Sequence, residues 1–187
     1  MPIRAFSCYK PCQARIVIGF THIKKALENG KHVITTNKGP IALFYRELKA
    51  IADRKGVQLK FEGTVLSGTP AIQFALKELA GCEIIEIRGI VNGTTNYILT
   101  KMAEGIPYEE ALKEAQKKGY AETNPSVKPE LVDYNDPLYH VDGILNGLIF
   151  TTDHLGDVFI MGLGAGKIET GQAILHDLYS ILEDLRK

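Results

Sequence analysis

Cysteine is scarce in this sequence, and no apolar run is long enough to cross a membrane. The three cysteines, Cys8, Cys12 and Cys82, are odd in number and include no Cys-x-x-Cys pair, so neither a disulfide framework nor a zinc site is predicted. No stretch approaches the roughly 20 apolar residues of a membrane span. The opening MPIRAFSCYKPCQARIVIGF also lacks the continuous apolar segment of a signal peptide. These absences favour a reducing cytoplasm.

An excess of either charge is also missing. Lysine and arginine together number 22, and aspartate and glutamate together number 22. We therefore expect neither nucleic acid nor a membrane as a partner. The 187 residues are 45% hydrophobic and 24% charged, which is the composition of an ordinary globular protein with one large or two small domains.

The first third of the chain alternates helix and strand patterns. They predict a short strand at 16–20, a helix at 22–29, a strand at 32–35, a helix at about 41–55 and a half-buried strand at 57–61. Alternation at this spacing is typical of a parallel α/β sheet. This part of the sequence resembles the trailing half of a nucleotide-binding domain.

The next segment, GTVLSGTPAIQFALKELAG, joins a loop rich in glycine and hydroxyl residues to a helix. Thr69 is the predicted N-cap, Pro70 the first helical residue and Gly81 the C-cap. The loop exposes backbone carbonyl and N–H groups that could hold a monovalent cation or an anion. A plain connection without a ligand is equally compatible with the sequence.

The stretch from 88 to 122 is the most informative. A strand pattern is followed by two helices, and the second has acidic residues in its first turn, lysines in its last turn and Gly119 at its C-cap. Glu122 then lies on a loop just beyond a helix end, where binding groups are common. Two strand-like runs follow at 144–152 and 158–161, and the glycine-containing GLGAGKIET leads into a final amphipathic helix.

Five pieces of the sequence together resemble homoserine dehydrogenase: HVITTNKGPIA, KFEGTVLSGTPAI, IRGIVNGTTNYILTKM, EEALKEAQKKGYAE and DPLYHVDGILNGLIFTTDHLGDVFIMGLGAGKIET. The resemblance implies an oxidoreductase that interconverts L-homoserine and L-aspartate 4-semialdehyde with NADP or NAD, on the route to threonine and methionine. The implied fold is α/β, with a remnant of a Rossmann-type nucleotide-binding domain at 1–62. A mixed α/β substrate and dimerisation domain follows at 63–161, and a C-terminal glycine loop and helix at 162–187 pack back on the first part. The implied partners are a small-molecule substrate and a second copy of the chain.

The resemblance also assigns roles to individual residues. Lys38 falls at a catalytic position, where an ammonium group can polarise the carbonyl that receives hydride; a solvated lysine in a polar turn is the plain alternative. Glu122 and Tyr120 fall at substrate-binding positions. The implied cofactor contacts are Lys38, Gly119, Gly164, Ala165, Gly166 and Thr170. The backbone carbonyls of Glu62, Val65, Ser67 and Thr69 match positions that hold a structural monovalent cation, Na⁺ or K⁺.

Two departures from the family pattern leave enzymatic activity open. The family opens with a GxGxxG loop, and before His22 this chain has only Gly19. The family also carries an Asp/Lys segment after the loop of Glu122, and here that loop runs directly into Val127-Lys128-Pro129. We therefore expect weak cofactor binding and impaired turnover. The alternative is a non-catalytic dimeric accessory, or a fragment, that keeps the substrate-domain fold.

Overall fold

The computed structural model describes residues 13–117, 132–164 and 166–186. They form a mixed α/β fold, as predicted, with a two-stranded parallel sheet and a three-stranded antiparallel sheet. The elements in chain order are α1 (Gln13–Glu28), β1 (Val33–Ile34), α2 (Lys38–Lys55), β2 (Leu59–Lys60), a 3-10 turn (Glu62–Thr64), α3 (Ala71–Gln73) continued by a π-helical turn (Phe74–Glu78), β3 (Ile84–Ile90), α4 (Gly93–Ala103), α5 (Tyr108–Lys117), a second 3-10 turn (Pro137–His140), β4 (Leu145–Thr152), β5 (Gly156–Leu163) and α6 (Lys167–Leu185).

The first layer is built on β1 and β2, which pair in parallel with Val33 opposite Leu59. Helices α1 and α2 pack against each other and against these strands. Their shared core consists of Ile23, Leu27, Leu48, Ile51, Ala52 and Leu59. The predicted parallel α/β pattern is therefore confirmed for this part of the chain.

The predicted strand at 16–20 is wrong, because these residues belong to α1. Ile16 is buried, whereas Val17 and Ile18 are more than half exposed. The inward positions 16, 20, 23 and 27 follow the i, i+4, i+7, i+11 spacing of one helix face. The short apolar run at 16–18 hid this longer helical period.

The start of α3 also differs from the prediction. Pro70 occupies the N-cap position without a side-chain cap, and helical residues begin at Ala71. Thr69 does not cap this helix: a Cβ atom added to Gly162 would lie only 2.1 Å from Thr69 Oγ1, so the threonine is packed against β5. The helix ends at Glu78, and Gly81 follows in a turn with φ of 99° instead of forming the C-cap.

The second layer is the antiparallel sheet β3-β4-β5, in which Ile87 lies opposite Phe150 and Phe150 opposite Val158. One face of the sheet packs on Leu66, Ala71 and Leu79. The other face packs on the segment around the second 3-10 turn, through Leu138, Val141 and Ile149. Both faces of the central strand β4 are covered, which explains its long apolar run.

Two glycines with open space around their Cα atoms allow a matched stability test. Gly56 caps α2 with φ of 63°, and Gly171 lies within α6; nothing lies within 4 Å of a Cβ atom added at either site. Gly56→Ala should lower the free energy of unfolding by about 1 kcal/mol, because an L side chain is strained in the left-handed region. Gly171→Ala should raise it by about 0.5–1 kcal/mol through helix propensity. Urea unfolding measures both values, and effects of the same sign would contradict this backbone assignment.

Candidate functional site

Lys38 begins α2, directly after the turn that leaves β1. Asn37 caps the helix by accepting a hydrogen bond from the Gly39 N–H at 3.3 Å. Helix α1 fixes this turn from the other side: a Cβ atom on Gly19 would lie 2.6 Å from Asn37 Nδ2, and one on Gly39 would lie 2.8 Å from Ile16 Cγ1. The turn is therefore clamped between two helices, and the lone Gly19 permits the close approach.

Lys38 lies at the protein surface, at the first position of α2. Crowding by the protein lowers the pKa of Lys38 below its ordinary value, although the residue as a whole remains exposed. Within the described ranges, no carboxylate forms an ion pair with Lys38.

Glu62 is buried at the junction of three segments. Its carboxylate accepts hydrogen bonds from the Ile72 N–H at 2.8 Å and the Gln73 N–H at 3.0 Å, and so it caps the start of α3. The Glu62 N–H donates to Asp177 Oδ2 at 3.0 Å, which joins the same point to α6. Desolvation raises the pKa of both carboxyl groups, and the hydrogen bonds that they accept oppose this rise only in part.

The predicted cation loop and the predicted cofactor loop meet in the structure. Ser67 Oγ lies 2.7 Å from Thr170 Oγ1, which donates to the Gly166 carbonyl at 2.7 Å. A Cβ atom on Gly68 would overlap the backbone of Glu169, so these two segments touch through their main chains. Residues that lie about 100 positions apart in sequence therefore form one site.

The glycine loop before α6 is a poor phosphate site. Gly166 has φ of 145°, and a Cβ atom there would lie 1.7 Å from Glu169 Oε2. The Glu169 carboxylate therefore occupies the N-terminal end of α6, which would otherwise attract an anion.

Some predicted site residues lie outside the described ranges. These are Gly119, Tyr120 and Glu122, which follow α5, and Ala165 in the loop before α6. Their assignments stay predictions.

Two residues at this site were not found by sequence reasoning. Asp177 is 1% exposed, and Asn146 of β4 is also 1% exposed, with its amide against Gly164. The signal for Asp177 was an acidic residue inside the apolar run of the last helix. Asn146 had a similar signal, as a polar residue between the strand residues Leu145 and Leu148.

Two kinds of feature are missing from the part of the chain that the structure describes. It contains no group of three or more His, Cys, Asp or Glu side chains that could hold a metal ion. None of its helices is long and apolar enough to cross a membrane.

Solved structures with this arrangement are α/β dehydrogenases with a Rossmann-type domain. A putative homoserine dehydrogenase from Archaeoglobus fulgidus is 36% identical with a TM-score of 0.81, covering 87% of this chain and 71% of its own. A hyperthermophilic archaeal homoserine dehydrogenase in complex with NADPH is 28% identical with a TM-score of 0.82, covering 89% of this chain and 69% of its own.

Sequence comparison identifies the family. The homoserine dehydrogenase family model matches residues 70–126 and 125–179. The homoserine dehydrogenase of Sulfurisphaera tokodaii is 36% identical over 217 residues, covering 86% of this chain and 71% of its own. The chain belongs to the homoserine dehydrogenase family.

The same comparisons locate a missing internal segment. The alignment with the Sulfurisphaera tokodaii protein spans 217 positions, more than the 187 residues of this chain, so part of that relative has no counterpart here. The two matches to the family model meet at residues 125–126. This is the point after Glu122 at which the sequence departs from the family pattern.

The buried carboxyl of Asp177 predicts a specific dependence of stability on pH. Because its pKa is raised in the folded state, its contribution is fully present below the ordinary value of 3.8 and is lost as the pH rises through the folded-state pKa. We expect the unfolding free energy of Asp177→Asn, relative to the unsubstituted protein, to increase as the pH rises from about 4. Urea titrations at a series of pH values measure this difference.

Asp136→Asn is the matched control. Burial acts to raise the pKa of Asp136, but hydrogen bonds from Arg88 and the Leu138 N–H outweigh it, so the pKa is lowered. Its stabilising contribution is present above 3.8 and is lost as the pH falls. The cost of Asp136→Asn should therefore fade on acidification, the opposite trend. A difference independent of pH for Asp177→Asn would overturn the assignment.

Proposed function

We propose that this chain is a homoserine dehydrogenase-type oxidoreductase that interconverts L-homoserine and L-aspartate 4-semialdehyde, with turnover far below that of longer family members. The observation that carries the proposal is the family match over residues 70–179, together with Lys38 clamped at the start of α2. We also propose domain boundaries at residues 62/63 and 161/162. A location in the cytoplasm is part of the same proposal.

Lys38 is the proposed catalytic residue. Its ammonium group would stabilise negative charge on the carbonyl oxygen as hydride reaches the carbon, and its lowered pKa makes proton donation easier. Glu122 would hold the substrate amino group, with Tyr120 beside it. These two roles rest on the family resemblance alone.

The reduced cofactor, NADH or NADPH, would supply the hydride to the aldehyde carbon, and NAD or NADP would accept it when homoserine is oxidised. Lys38, Gly119, Gly164, Ala165, Gly166 and Thr170 are the proposed contacts. Binding should be weak, because the Glu169 carboxylate occupies the N-terminus of α6 and opposes a phosphate there. The NADPH complex of the archaeal relative supports the choice of cofactor class.

A monovalent cation, Na⁺ or K⁺, is proposed on the backbone carbonyls of Glu62, Val65, Ser67 and Thr69. The shape of the loop supports it, since Leu66 and Ser67 adopt φ of 53° and 52°, in the left-handed region. Non-glycine residues rarely hold this conformation without surrounding constraint. The contacts to Gly162 and Thr170 supply such constraint.

A second candidate function is a non-catalytic dimeric accessory. The observation that favours it is the missing segment at residues 125–126. By the family resemblance, that segment would carry the substrate-binding aspartate and the lysine that delivers a proton. Without that pair, the remaining residues would keep the substrate-domain fold and lose the reaction.

Turnover decides between the two candidates. General acid–base catalysis contributes about 10²–10⁴-fold in rate, and loss of positioning removes more. We expect homoserine oxidation, followed by NAD(P)H absorbance, to lie several orders of magnitude below the enzyme median of about 10 s⁻¹. Lys38→Ala and Glu122→Ala should each abolish what remains.

Lys49→Ala is the control for charge removal on the same helix. Lys49 forms an exposed ion pair with Asp53 and takes no part in the proposed site. Its removal should leave the residual rate unchanged. If Lys38→Ala keeps the residual rate, Lys38 is not catalytic. If the unsubstituted chain is no faster than the uncatalysed reaction, the non-catalytic accessory is favoured.

A homodimer is the proposed assembly. Strand β3 is an edge of the described sheet, and its Ile85 and Ile87 are 66% and 54% exposed. An apolar edge strand readily pairs with another chain. We expect a dimer by light scattering at high micromolar concentration, and Ile87→Lys should shift it toward monomer. Leu43→Lys changes an equally exposed residue on α2 and should leave the dimer intact. A strictly monomeric unsubstituted chain would contradict this assembly.

A further inference from the structure

The contact between α1 and the turn that begins α2 is closer than a side chain at position 19 allows. A Cβ atom at Gly19 would lie 2.6 Å from Asn37 Nδ2 and 3.0 Å from Pro40 Cγ. Asn37 and Pro40 flank the pair Lys38-Gly39 in the sequence. Position 19 of α1 therefore meets the turn on both sides of Lys38.

A second residue of α1 holds the same turn. Ile16 and Gly19 lie three positions apart in α1 and so share one face of the helix. Ile16 is buried, and a Cβ atom at Gly39 would lie 2.8 Å from its Cγ1 atom. One bulky residue and one bare residue of α1 thus fix the distance between this helix and the turn.

The turn has little freedom to make room for a side chain at position 19. Asn37 Oδ1 accepts the Gly39 N–H at 3.3 Å and caps α2, and the Asn37 N–H donates to Thr35 Oγ1 at 3.1 Å. A shift of the Asn37 amide would break the cap. Pro40 is buried, and its ring is rigid. A larger residue at position 19 would therefore displace the turn as a whole.

We propose that Gly19 is a positioning residue for Lys38, because the absence of a side chain at position 19 sets where the turn holds the Lys38 ammonium group. This inference rests on the catalytic role of Lys38 in the proposed function and adds a residue of α1 to it. Gly19 acts through the turn and touches neither substrate nor cofactor. Desolvation by the surrounding protein lowers the pKa of Lys38, so this pKa reports the position of the turn.

Competitive acetylation tests the proposal without any need for turnover. The full chain is labelled with trace acetic anhydride at a series of pH values, and mass spectrometry gives the titration midpoint of each lysine. We expect the midpoint of Lys38 to lie below the ordinary value of 10.5. Gly19→Ala should raise it toward 10.5, because a displaced turn returns the amine to water. Each unit of this rise lowers the neutral, reactive fraction about tenfold at neutral pH.

Gly171→Ala is the matched control. It makes the same change inside a helix, and nothing lies within 4 Å of a Cβ atom added there. The midpoint of Lys38 should be unchanged in this variant. Lys101 is the internal reference, since its hydrogen bond to Glu104 raises its pKa. Movement of the Lys101 midpoint to its ordinary value in Gly19→Ala would mark general loosening and would overturn a specific role for Gly19.

A second substitution should repair the first. In Gly19→Ala/Asn37→Ser the shorter serine lacks the Nδ2 atom that crowds position 19, and it still caps a helix. The double variant should return the midpoint of Lys38 toward that of the unsubstituted chain. No change in Gly19→Ala, or no recovery in the double variant, would overturn the proposal. If Gly19→Ala does not fold, the double variant decides alone, and a Lys38 midpoint of 10.5 in it overturns the proposal.

The same labelling separates this inference from the enzymatic function. An unsubstituted chain with a Lys38 midpoint of 10.5 would overturn the positioning role, whatever its turnover. A chain that shows the expected midpoints but no homoserine oxidation would lose the proposed enzymatic function and keep the positioning of Lys38 by Gly19.

Discussion

The buried carboxylate of Glu62 is the contact on which the site depends. It satisfies two backbone N–H groups at the start of α3, and the N–H of the same residue donates to Asp177 in α6. Buried backbone donors that lack partners are costly, so this single residue stabilises the ends of two segments at once. The end of β2, the predicted cation loop and the last helix are thereby held in one arrangement.

Close main-chain approach is the second requirement. The loop at 66–69 and the segment at 162–170 touch where Gly68 meets Glu169 and where Gly162 meets Thr69, and any larger side chain there would overlap its neighbour. The glycines in GLGAGKIET therefore serve the packing of two loops. Glycine is needed where backbones approach closely, quite apart from a role in phosphate binding. Gly166 likewise permits close approach, because a Cβ atom there would overlap the Glu169 carboxylate at the N-terminus of α6.

Among the described residues the parallel layer has two short strands, and α6 buries only part of its apolar surface. The helix packs through Ala173, Asp177, Ser180 and Ile181, whereas Leu178 and Leu182 are 44% and 40% exposed. Its most apolar stripe thus lies beside the contact face and not on it.

The sequence by itself determined the family, the alternation of helices and strands, and the position of Lys38 after a strand, because local periodicity and capping residues act over a few positions. It misassigned residues 16–20, since a short apolar run does not distinguish a strand from a buried helix turn. The sequence also predicted Thr69 as the N-cap of α3, because a threonine just before a helix usually caps it. A local pattern does not show that the Glu62 carboxylate takes this role. Only the tertiary structure decided that Glu62 caps α3, that Asp177 and Asn146 are buried beside the two loops, and that Ser67 meets Thr170. These contacts join residues about 10 to 115 positions apart, and no local pattern encodes such distances.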